Sequence, residues 1–151
     1  MLQKTRLSYQ TVADWFLAQA PMPPRKLQKL VYYTQAWGDA LLQHPLLGDT
    51  HFEAWPNGPV SPELHEKYRA YGWTEIAQGT APTLEDASVQ DLLASVWLTY
   101  GDKSANELEA LAKQERPWLE ARGELDQWAP STAPISDATM QAFYLSIYAG
   151  D

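Results

Sequence analysis

KLQKLVYYTQAW (residues 26–37) is the stretch from which the rest of this chain can be ordered. Leu27, Leu30, Val31, Thr34 and Trp37 recur at helical spacing, and Leu41 extends the stripe. The run therefore predicts a helix continuing to about Gln43, long and apolar enough to be the central one. Pro24 fits its first turn, where a missing N–H costs nothing. Arg25, Lys26 and Lys29 fall outside the stripe and near the helix start, an end the dipole makes unfavourable for cations. Solvation explains such residues most often, and service to a partner is the competing explanation.

Working outward, Val12, Trp15 and Phe16 share a face over residues 9–20, with Ser8 as N-cap, and PMPP (21–24) separates that helix from the central one. HPLLGDT (44–50) reads as a turn and HFEAW (51–55) as a short strand. PNGP (56–59) must turn tightly, because Asn-Gly tolerates positive φ and the prolines fix the chain on either side. Ser61, Pro62 and Glu63 supply a cap, a first-turn proline and a first-turn acid, opening a helix that Gly72 stops after about Tyr71. Residues 73–79 are expected to add a second strand beside the first. Thr83 and Asp86 have capping-box spacing ahead of Val89, Leu92, Leu93, Val96, Trp97 and Tyr100. Ser104 and Glu107 repeat it ahead of Leu108, Leu111 and Ala112, and Pro117 begins a further turn to Arg122. After a linker at 128–134, Ser136 caps a last helix with Met140, Phe143, Tyr144 and Ile147 on one face. The expectation is a mainly α fold: a single domain over residues 1–151, a compact bundle of about six helices with at most a small two-stranded antiparallel β element.

The 151 residues suit one hydrophobic core, and 45% hydrophobic content argues against disorder. Cysteine is absent, which excludes disulfides and thiolate metal sites. No window resembles a signal peptide or reaches the length of a membrane span, so the protein is expected to be cytoplasmic with no membrane partner. Charge is uneven: residues 1–30 carry +4 and the remainder −12, for a net −8. An acidic body disfavours nucleic acid and suits either plain solubility or a basic partner.

Catalytic templates find little. The chain has no GxGxxG, Walker loop, HExxH or GxSxG, and no thiol nucleophile. His51, Glu53 and His65 are the only residues from which an acid–base or metal cluster could be drawn, and their spacing matches no metal-ligand template. Glu63 is already accounted for by the helix dipole. The reading is that the protein is not an enzyme and needs no cofactor or metal. Tyr32 and Tyr33 beside the central stripe, and Tyr68 and Tyr71 on the helix after the turn, divide between interhelical packing and partner anchoring.

KLQKLVYYTQAW followed by FEAWPNGPVSPELHEKYRAYG (52–72) resembles the signature of the Panacea domain, a family formerly of unknown function that includes phage-associated proteins and SocA-like antitoxins. SANELEALAKQERPWLEAR (104–122) is similar to the family's Leu-rich segment ending in Glu-x-Pro-Trp and a following basic residue, and ISDATMQAFYLSIY (135–148) to its closing helix. The likeness spans about Leu7 to Tyr148, and the Gly-Pro-Val turn after Glu-Ala-Trp is its most specific part. Two places depart: many members have Tyr at the position of His65, and a His-containing segment at Ala112, Lys113 and Gln114.

What the resemblance implies is an antitoxin of a two-gene toxin–antitoxin system, neutralising a cognate toxin from a neighbouring gene by direct binding. In some relatives the domain is an adaptor that delivers the toxin to a cytoplasmic protease. The candidate partner-binding residues are Lys29, Tyr32, Tyr33, Trp55, Asn57, His65 and Tyr68, with Trp55 reading equally well as core. Two competing readings are less favoured. A small metal-dependent hydrolase requires His51, Glu53 and His65 to converge. A DNA-binding autoregulator requires operator retention that weakens steeply with salt.

Overall fold

The computed structural model describes residues 6–150. Among them are seven α-helices: α1 (Tyr9–Gln19), α2 (Pro24–Leu41), α3 (Pro62–Tyr68), α4 (Ala87–Tyr100), α5 (Ala105–Ala112), α6 (Arg116–Arg122) and α7 (Asp137–Tyr148). A two-stranded antiparallel sheet, β1 (Glu53–Trp55) and β2 (Gly58–Val60), lies between α2 and α3, and a 3₁₀ turn (Arg69–Tyr71) extends α3. The fold is mainly α, as the periodicity predicts.

α2 is the axis. It packs against α1, α3, α4, α5, α7 and β2. Surrounded in this way, it buries far more than the single stripe expected from its sequence: Tyr32, Tyr33 and Ala36 are inaccessible, and so are most of Gln28, Lys29, Gln35 and Asp39. Gly38 lets a neighbour approach, since a Cβ there would meet Leu46 Cβ at 3.4 Å and Leu92 Cδ2 at 3.5 Å.

The helix starts follow their caps. Ser8, Ser61, Ser104 and Ser136 each accept a backbone N–H from the first turn, at Thr11, Leu64, Glu107 and Thr139. Ser104 and Glu107 complete a reciprocal capping box. At α4 the expected Thr83–Asp86 box gives way to a start one turn later. Asp86 itself is the N-cap, its carboxylate accepting from Ser88 and Val89, while Leu84 packs on the core just before it. A carboxylate that takes two N–H groups is the better cap.

The hairpin turns through Pro56 and Asn57, with Trp55 opposite Gly58 and Glu53 opposite Val60. Gly58 sits at φ 102°, beyond easy reach of other residues. The second strand is therefore the segment directly after the turn, and residues 73–79 do not pair with β1. The reason is that neither edge of β1 is available: β2 occupies one, and residues 133–135 run along the other, with Ala54 N–H on Ala133 O (2.8 Å) and Ile135 N–H on Phe52 O (2.8 Å). Ile76 bridges to Met22 instead, through two backbone hydrogen bonds of 2.8 and 3.2 Å.

Candidate partner-binding cleft

The start of α2, the hairpin and α3 enclose a cleft of about 440 Å³. Side-chain hydrogen bonds from α2 and α6 hold it in place. Gln28 on α2 donates through Nε2 to Ser61 O and accepts from Ser61 N–H through Oε1, both at 2.9 Å. That buried amide clamp fixes the junction of β2 and α3 on the central helix, and Ser61 Oγ in turn caps α3 through Leu64 N–H. From α6, Trp118 Nε1 donates to Trp55 O (2.9 Å) and Arg122 Nη1 to Ala54 O (2.8 Å), holding the hairpin from behind.

Five of the seven candidate residues line this cleft: Lys29, Trp55, Asn57, His65 and Tyr68. Trp55 and His65 meet edge to face with ring centres 5.0 Å apart. Trp55 Nε1 is spent on Glu53 Oε1 at 2.8 Å. The Tyr68 hydroxyl accepts from Gln10 Nε2 at 2.7 Å, leaving its ring against the cleft. Val60 and Leu64 complete an apolar wall, and Arg25, Arg69 and Trp73 stand around the opening. Trp73 is 79% exposed, with the Arg25 guanidinium 5.2 Å from its ring centre.

Lys29 reaches the cleft from beneath the turn and is only 2% exposed. Burial lowers its ammonium pKa to about 8, with Glu109 opposing that shift and Arg25 and Lys113 adding to it. Glu109 is held by Arg25, which also donates to Asn106 Oδ1 at 2.9 Å. Lys26 serves α4, donating to Gly101 O at 2.6 Å beyond the end of that helix. The three cations at the start of α2 thus have separate roles, two of them in intramolecular bonds.

Tyr32 and Tyr33 lie elsewhere. Both are inaccessible in the core, so neither presents a surface to a partner in this conformation. Tyr33 and Tyr144 donate to Glu115 Oε1 at 2.7 and 2.8 Å, Tyr33 stacks on Tyr100 at 4.0 Å, and the Tyr32 and Tyr144 hydroxyls are 3.2 Å apart. Burial raises the Glu115 carboxyl pKa while the two phenol donors oppose the rise. The Glu-x-Pro-Trp stretch acquires a physical meaning here: Glu115 ties α2 to α7, Trp118 and Arg122 tie the hairpin to α6, and Pro117 starts the helix that carries them.

The three members of the suggested hydrolase cluster do not share a site. His51 Nε2 and Trp55 Nε1 take the two oxygens of Glu53 at 2.8 Å each, while His65 faces the cleft that neither His51 nor Glu53 lines. Among the described residues no three His, Asp or Glu side chains are placed to hold one metal ion, and no helix is long and apolar enough to cross a membrane.

Sequence reasoning passed over Trp73, Arg69, Leu64 and Val60 as site residues. Trp73 left a signal: a Trp directly after a helix-stopping glycine, on no periodic face, has no core position to fill.

Comparison with known proteins supplies a family. The model of the antitoxin SocA-like, Panacea domain family matches residues 27–119, more than half of the chain, from the first turn of α2 into α6. The chain belongs to that family. No curated protein and no solved structure matches it.

Proposed function

We infer that this member of the SocA-like antitoxin family is a protein-binding module that neutralises a cognate toxin by occupying its surface. The observation that supports the reading best is the cleft mouth, where a Trp 79% exposed stands over a concave apolar site beside two arginines. Large exposed aromatics and arginines carry a disproportionate share of interface energy, above all beside a pocket they can close. The rim residues Asn57, His65, Arg69 and Trp73, with Tyr68 and Trp55 inside, form the contact surface in this reading. A stable complex buries roughly 1,200–2,000 Å² in total, so the partner extends beyond the cleft onto neighbouring faces. Binding of this kind asks for no catalytic centre in the antitoxin.

The test is co-expression with the product of the adjacent gene. Growth is expected to recover and the two chains to co-purify, and Trp73→Ala is expected to weaken the complex at least tenfold without lowering the Tm of the free protein. Persistent growth arrest with no recoverable complex rejects the pairing. Partner abundance separates two modes of neutralisation: masking leaves it unchanged or higher, whereas delivery to a protease shortens the partner's lifetime.

A further inference from the structure

A buried ammonium normally has an anion beside it, because an unpaired charge in a low-dielectric setting is strongly disfavoured. Lys29 has no such direct partner, and its Nζ opens on the cleft rather than being fully enclosed. It is 2% exposed and lines the cleft, yet among the described residues no hydrogen bond reaches its ammonium and no carboxylate comes within ion-pair distance. Glu109, the acid whose charge acts most on Lys29, is ion-paired with Arg25 instead. Two further polar side chains at the cleft, Asn57 and His65, also make no hydrogen bond in this arrangement.

The surroundings restrict what can satisfy Lys29. The cleft it lines is walled in part by Trp55, Val60, Leu64 and Tyr68, which offer flat and aliphatic surface. One buried cation beside apolar walls, with half-buried Arg25 and exposed Arg69 at the opening, fits a carboxylate on an apolar stem. The cleft volume, about 440 Å³, lies in the range of small-ligand sites, which are likewise mostly apolar with a few convergent polar groups.

We propose that this cleft is a receptor for a carboxylate borne on an apolar or aromatic body, with Lys29 as its counter-ion and Asn57 and His65 as auxiliary donors. A free aromatic acid and the terminal carboxylate of a polypeptide share this chemistry. The proposal takes the same cleft as the antitoxin reading, but its test needs no toxin, so the two can fail separately.

The experiment titrates the full chain with 3-phenylpropionate, its neutral amide, and the tripeptide Ala-Ala-Phe with a free or an amidated C-terminus, following Trp fluorescence and calorimetric heat. At least one acid is expected to bind saturably at millimolar concentration or below, and its amide at least tenfold more weakly. A tighter free acid identifies a small-molecule site, and a tighter tripeptide identifies a chain-end site. Lys29→Met keeps the bulk beneath Gly58 while deleting the charge. It is expected to abolish the preference for acid over amide and to raise the Tm of the unliganded protein, since a lysine retained for a ligand is a liability without one. The proposal is overturned if no acid binds, if acid and amide bind alike, or if the preference survives in Lys29→Met. A lower Tm in the unliganded variant would equally overturn it, by making Lys29 a structural residue.

Discussion

Asp39 on α2 is buried beside Asp137 at the start of α7, and its Oδ2 has no hydrogen-bond partner. Burial first, and then the hydrogen bond and charge of Asp137, push its carboxyl pKa up to about 9, against the opposing charge of Arg6. The folded protein therefore keeps a proton that the unfolded chain releases near pH 3.8. That contribution to stability is complete below the unfolded value and is lost progressively as pH rises toward 9. Asp39→Asn has no proton to lose. Its stability relative to the parent is expected to climb across this window by at most about 1.4 kcal/mol per pH unit, read from urea midpoints at pH 5, 7 and 8.5. A constant difference across the three would show that Asp39 is ionised in the fold. Neither Asp39 nor Lys29 was legible as a buried charge, because helical periodicity marks the apolar stripe and is silent about polar residues that a second ring of neighbours covers.

Elements with strong local punctuation were the readable ones. The Ser caps, Pro24, Pro62 and Pro117 placed most helix starts and the prolines around Asn57 placed the tight turn, though not the strand β2 that leaves it; five candidate residues meet at one cleft because that turn and α3 are locally encoded. The fate of residues 73–79 was not readable, since it depends on residues 133–135 reaching β1 from far along the chain. Nor was the clamp from Gln28, which is decided by tertiary placement. Gln28→Ala leaves the N–H of the fully buried Ser61 unpaired while Ser61 O keeps the His65 N–H at 3.0 Å, and is expected to cost about 1–3 kcal/mol. In a protein of this size that lowers the Tm by roughly 2–4 °C per kcal/mol, measurable by circular dichroism.

For the molecule as a whole, α2 supplies nearly every interhelical contact, and the segments at the two chain ends, α1 and α7, both close upon it. The family match takes in the cleft from Gln28 onward but stops in α6, before α7 and before residues 133–135. Those later residues nonetheless complete the sheet, and this makes the state of the nascent chain consequential. While the ribosome is still adding residues beyond Arg122, β1 can pair locally with β2, but its outer row of amides and carbonyls waits for chain not yet made. Exposed edges of this kind seek other strands. A product ending at residue 130 is expected to partition into the insoluble fraction and to regain solubility when a peptide spanning 131–150 is co-expressed; equal solubility of short and full chains would show that the outer edge protects itself. A protein in which residues 133–135 seal the edge of β1 is vulnerable until that stretch has been made, and termination or cleavage ahead of it would remove the protein from the cell as effectively as a lesion in its centre.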